Sequence, residues 1–133
     1  MTDLGSGYAL RILLVSALES VRDEVGAALR GWSYEHRVYW VSQPSLAVAR
    51  AEELVPEVIL VDDSLAPAEA VALVRAVAAR VPRAKVLLLA DGASMDLARQ
   101  AVLAGARGFV TKPLAAQDLQ RTLGEVLSTK PVE

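Results

Sequence analysis

Five times along the chain a short apolar run gives way to a stretch whose apolar positions recur at helical spacing. The first unit is LRILLV (Leu10 to Val15) followed by SALESVRDEVGAALRGW, in which Val21, Val25, Ala28, Leu29 and Trp32 fall three and four residues apart on one helical face. The second is HRVYWVS (His36 to Ser42) and then Pro44 to Val55, with Pro44 suited to a first helical turn. EVILVDD leads into an alanine-rich stretch from Pro67 to Val81, KVLLLAD into Ser94 to Ala104, and GFVTK into Leu114 to Leu127. A strand that must pair in parallel with another needs a crossover long enough to hold a helix, and this alternation supplies one each time. Continuous apolar strands also need helices on both sheet faces. The expected fold is a three-layer α/β sandwich.

With 133 residues, 53% of them hydrophobic, the chain suits one well-packed domain. We expect it to span residues 10–128, after a flexible lead-in over 1–9. The tail 129–133, within STKPVE, reads as the start of a linker to an output domain outside this chain.

A net charge of −2 offers no general attraction to nucleic acid or to an anionic membrane. Cysteine is absent and His36 is the only histidine, which excludes disulfides, thiolate chemistry and an imidazole-rich metal site. No apolar run approaches the length of a bilayer span, and MTDLGSGYAL lacks a basic segment followed by a hydrophobic one. The chain is therefore expected to be soluble and cytoplasmic, with no membrane contact and no direct nucleic-acid binding.

In an open parallel sheet, ligands bind beyond the carboxyl ends of the strands. The residues to weigh are Ser16 and Ala17, Ser42, Asp62 to Ser64, Ala90 to Gly92, and Thr111 to Pro113. An acid ending the third strand can approach a lysine ending the fifth, so Asp62 and Lys112 are expected to pair, each offsetting the other's desolvation. Side chains alternate along a strand, so Asp63 is expected to face away from Asp62, toward solvent or as a cap on the next loop, and the two acids should not form a dyad.

PEVILVDDSL and AVLAGARGFVTKP together resemble the receiver domain of two-component response regulators, the CheY-like family, over nearly the whole chain. The resemblance implies a five-stranded parallel sheet in the order 2-1-3-4-5. It also implies phosphoacceptor chemistry at the end of the third strand. Asp62 matches that position by its distance from Pro56, and Asp63 is its rival by its distance from Pro67. Lys112 matches the lysine that contacts the phosphoryl group, Phe109 the aromatic switch residue, and Pro113 the residue after a cis Lys-Pro bond.

The departures from the family pattern carry more information. Where the family ends its first strand in two acids that hold Mg²⁺, this chain has Ser16 and Ala17. Where the fourth strand carries the switch Thr or Ser, it has Ala90, and a methyl group makes no hydrogen bond. Phosphoryl transfer to a carboxylate brings two anions together and needs a cation held close by. Mg²⁺ demands near-octahedral oxygen ligation, so Asp62, a carbonyl and the Ser16 hydroxyl make a poor site, and binding there should be weak. Asp91 and Glu19 are the two further carboxylates to consider, each approaching from another direction.

The resulting expectation is an atypical, or pseudo-, receiver: not an enzyme, without a cofactor, signalling through a protein partner or output domain. A homodimer through the fourth helix, fifth strand and fifth helix, roughly Ser94 to Leu127, is what the family implies. The alternatives are a receiver phosphorylated on Asp62 and an anion- or nucleotide-binding module. The last rests on ADGAS (Ala90 to Ser94), whose backbone N–H groups before a helix suit an anion, although the same letters turn and cap the chain. No phosphate-binding glycine fingerprint follows the first strand. Trp32, Tyr34, Tyr39 and Trp40 cluster about the second strand, mainly as edge cover, and His36 is expected at the surface.

Overall fold

The structure, a computed structural model, describes residues 9–128. The lead-in residues 1–8 and the tail 129–133 lie outside it.

Eleven elements alternate as the sequence leads one to expect. They are β1 (Leu10–Val15), α1 (Glu19–Ala28), β2 (His36–Val41), α2 (Pro44–Leu54), β3 (Val58–Asp62), α3 (Pro67–Arg80), β4 (Lys85–Ala90), a 3₁₀ turn (Gly92–Ser94), α4 (Met95–Ala104), β5 (Gly108–Thr111) and α5 (Ala116–Ser128). All four strand pairings are parallel, and the order is β2-β1-β3-β4-β5.

The two-residue repeat of the strands divides the core. Leu13, Val15, Ile59, Val61, Val86 and Leu88 point toward α2, α3 and α4, while Ile12, Leu14, Leu60, Leu87, Leu89 and Val110 point toward α1 and α5. Every residue of β3 and of β4 is buried, which is why both strands, apart from Asp62 and Lys85 at their ends, are apolar without alternation.

Two helices start later than expected. The helix expected from Ser94 starts at Met95, because Asp91 accepts a hydrogen bond from the Ala93 N–H (2.9 Å) and closes a 3₁₀ turn first. The last helix begins at Ala116 rather than Leu114, after a cis Lys112-Pro113 bond. His36, expected at the surface, is partly exposed there, with its ring 5.4 Å from that of Trp32 and its Nδ1 2.8 Å from the Tyr34 carbonyl oxygen.

One glycine is required by packing. Gly105 ends α4 at φ 129°, and a Cβ there would stand 2.8 Å from the Cβ of Ala78 on α3. The absence of that methyl group lets α4 lie close against α3. It thereby fixes the floor of the helix whose first turn lies beside the carboxyl edge of the sheet.

Candidate functional site at the carboxyl edge of the sheet

Asp62 is the last residue of β3 and is fully buried, at 0% exposure. Such a carboxylate must have its lone pairs satisfied within the protein. Its Oδ1 accepts from Lys112 Nζ at 2.9 Å. Its Oδ2 accepts from Ser16 Oγ at 2.9 Å and from the Ser64 N–H at 3.2 Å. The expected partnership of Asp62 with Lys112 is thus present, with Ser16 added from the end of β1.

Asp63 departs from expectation. It does not face away from Asp62: its Oδ1 accepts from the same Lys112 Nζ at 2.6 Å. The β3–β4 pairing ends at Asp62 and Leu89, so strand alternation no longer governs the next side chain. The loop-capping half of the expectation holds, since Oδ2 of Asp63 accepts from the Asp91 N–H at 3.0 Å and from Ser94 Oγ at 2.9 Å.

Two carboxylates therefore share one ammonium group in a nearly dry corner. Burial pushes the Asp63 carboxyl toward protonation, but the hydrogen bonds from Lys112, the Asp91 amide and Ser94 outweigh it and hold the group below its ordinary value of 3.8. Burial likewise disfavours the charged form of Lys112. Its hydrogen bonds to Asp63 and Asp62 prevail, and its affinity for the proton is raised above the ordinary value of 10.5.

Ser64, one of the residues weighed at this edge, has partners that the sequence does not indicate. Its Oγ accepts from the Ala17 N–H at 3.0 Å and lies 3.4 Å from Ser16 Oγ, while Ser16 Oγ accepts from the Leu18 N–H at 3.1 Å. Two hydroxyls thus fill the space between the ends of β1 and β3. Trp40 closes this corner from β2, donating its indole N–H to the Ser16 carbonyl at 2.9 Å, with the Arg22 guanidinium 4.9 Å over its ring. No pattern in the sequence announces either contact, because both join residues from separate elements.

The other residues singled out occupy separate places. Ala90 ends β4 fully buried, and its carbonyl accepts the Lys112 N–H at 2.9 Å. Glu19 lies on α1 paired with Arg22 at 2.7 Å, and Asp91 caps the 3₁₀ turn. Phe109 on β5 is 39% exposed and lines a groove of about 330 Å³ with Met95, Val102 and Leu103 of α4. Three donors of the Ala90–Ser94 loop already point at carboxylates, with Asp91 N–H and Ser94 Oγ directed to Asp63 and Ala93 N–H to Asp91.

A family model described as the response regulator receiver domain matches residues 12–124. The chain belongs to this family. It is a receiver domain of the two-component response-regulator type, a module that interacts with output domains or partner proteins. It is 31% identical over 123 residues to the transcriptional regulatory protein ZraR of Klebsiella oxytoca, a match covering 92% of this chain and 27% of that protein. The protein of the same name from Escherichia coli K12 is 30% identical over 102 residues. The chain spans about a quarter of the length of these curated relatives.

Among solved structures, the N-terminal receiver domain of a Bacteroides fragilis two-component response regulator superposes with a TM-score of 0.80 at 26% identity. The match covers 92% of this chain and 99% of that one. The chemotaxis protein CheY4 of Vibrio cholerae superposes with a TM-score of 0.75 at 25% identity, covering 89% and 98%. Among the described residues, no helix of this receiver domain is long and apolar enough to cross a membrane.

Proposed function

We propose that this receiver domain is of the atypical kind, acting in the cytoplasm through protein contacts with little or no phosphorylation of Asp62. The observation that carries the reading is the state of that carboxylate. Asp62 is shut off from solvent, and both of its oxygens are already engaged, by Lys112 on one side and by Ser16 and Ser64 on the other. A carboxylate that is to attack phosphorus must free a lone pair in line with the leaving group. The growing negative charge must also be neutralised beside it.

The donor set does not fit the divalent cation that the family resemblance implies. Mg²⁺ takes near-octahedral oxygen ligands and is held by carboxylates. At the end of β1 this chain offers the hydroxyl of Ser16, which donates to Asp62, and the methyl of Ala17. The Ser64 hydroxyl is itself engaged, accepting from the Ala17 N–H at 3.0 Å. We therefore read Asp62 and Lys112 as a structural ion pair within a binding module rather than as parts of an enzyme. Contact with a partner, an output domain or a second copy through α4, β5 and α5 is supported by the exposed Met95, Val102, Leu103 and Phe109.

The test is a titration with Mg²⁺ and beryllofluoride followed by indole fluorescence, for which Trp40, bonded to the Ser16 carbonyl, is a built-in reporter. The expected signal is flat into the millimolar range. A saturable change that Asp62→Asn abolishes would refute the reading.

A further inference from the structure

Asp63 has an arrangement that the Asp62 chemistry does not require. Its carboxylate gathers donors from two separate parts of the fold: Lys112 after β5, at 2.6 Å, and the Asp91 N–H and the Ser94 hydroxyl before α4, at 3.0 and 2.9 Å. Its own N–H donates to the Leu89 carbonyl at 3.0 Å, which ties its backbone to β4. From Asp91 the connection continues forward. The Asp91 carboxylate accepts from the Ala93 N–H, and its carbonyl accepts from the Ser94 N–H at 3.0 Å. The next residue, Met95, is the first of α4.

Ser94 occupies the N-cap position of α4, yet its hydroxyl makes no capping bond to the helix and is given to Asp63 instead. Serine at this position ordinarily satisfies one of the helix's own free N–H groups. Here that interaction is exchanged for a charge-assisted hydrogen bond to an anion on another element, a stronger bond that ties the helix start to the sheet edge. At its other end α4 is held by the close approach of Gly105 to Ala78. The helix is thus pinned at both ends, and between them it exposes Val102 and Leu103 beside Phe109, with Leu103 at 87% exposure.

We propose that Asp63 is a positioning residue, a fixed internal anion that anchors the first turn of α4 and so presents the exposed α4–β5 face in a single arrangement without chemical modification of the domain. The anchoring stands on the contacts of Asp63 alone, whereas its independence from modification rests on the reading that Asp62 stays unphosphorylated. A carboxylate so engaged supplies at all times the negative charge that Lys112, the Asp91 amide and the Ser94 hydroxyl converge upon. Losing it leaves Lys112 with Asp62 but takes the acceptor from the Asp91 amide and the Ser94 hydroxyl in a partly buried place, and the segment that carries these two is then free to open locally.

Amide hydrogen exchange of the intact chain, read by mass spectrometry peptide by peptide, tests this. Asp63→Ala should speed exchange across residues 92–98 by roughly tenfold or more, while peptides from α1 and α2 keep their rates. Ser94→Ala should act on the same peptides to a smaller extent, and it serves as the test should Asp63→Ala fail to fold. Asp62→Asn, which keeps Lys112 on Asp63, should act on them less than Asp63→Ala does, and Mg²⁺ with beryllofluoride added to the unaltered chain should leave them unchanged. The anchor is refuted if Asp63→Ala leaves residues 92–98 at their original rate or speeds every peptide alike. It is equally refuted if Asp62→Asn loosens α4 as much. If beryllofluoride slows exchange in residues 92–98 while Asp63→Ala still loosens them, the anchor holds and the independence from modification falls.

Discussion

The carboxyl edge of the sheet and the outer face of α4 and β5 reverse the usual partition of residue types. At the edge, Asp62, Asp63 and Lys112 are largely hidden from water. On α4 and β5, Met95, Val102, Leu103 and Phe109 leave hydrocarbon exposed. Charge is tolerated inside because each carboxylate oxygen has a donor, and removing one donor strands the rest. Exposed hydrocarbon costs the isolated domain little, and such patches commonly serve as binding surfaces. The first region is therefore expected to respond strongly to substitution through stability. The second should respond weakly in stability and strongly only in association.

The sharpest way to break this contrast is Lys112→Met. Two acids would then lack their shared cation, and unfolding free energy should fall by about 3–5 kcal/mol, as measured by urea denaturation at neutral pH. The deficit should shrink as the pH is lowered, because protonation relieves the stranded carboxylates. Gly105→Ala comes next. It forces a methyl group against Ala78 and a side chain onto a positive φ, and a loss of about 1–3 kcal/mol is expected. A variant that kept its full stability would show that α4 can shift away from α3.

The pH dependence of the unaltered chain comes third. Asp63 is held below its ordinary value, so its contribution to stability is complete above that value and is lost as the pH falls through the lower folded-state value. Lys112 is held above its ordinary value, so its contribution is complete below that value and is lost as the pH rises through the higher folded-state value. Between the ordinary values of 3.8 and 10.5 this cluster should leave the melting temperature flat. A step near neutrality that disappears in Asp63→Asn would contradict the assignment. The smallest effect is expected for Leu103→Ser, within about 0.5 kcal/mol of the unaltered chain. A larger loss would mean that the α4 face supports the monomer itself.

Much of the fold is legible in the apolar runs, because the unbroken runs Val58–Val61 of β3 and Val86–Ala90 of β4 require cover on both faces and the intervening helices have the length to provide it. The approach of Lys112 to Asp62 follows from strands that run in one direction and end at one edge. What escaped was local. Asp63 was assigned by an alternation that stops one residue earlier, where the pairing with β4 ends. The turn that ADGAS suggests is present, closed by Asp91 on the Ala93 N–H, but the sequence does not show that Ser94 gives its hydroxyl to Asp63. Ser64 and Trp40 reach partners in the loop after β1, and Glu24 of α1 accepts the Leu114 N–H at 2.7 Å from ninety residues away. Such contacts depend on three-dimensional placement and leave no periodic trace.

The most direct measurement is the intact mass of the chain after incubation with a small-molecule phosphodonor and Mg²⁺. An unchanged mass is expected, both for the chain as it stands and for Asp62→Asn. A stoichiometric, base-labile phosphoryl adduct that vanishes in Asp62→Asn would show that the buried carboxylate opens to chemistry after all.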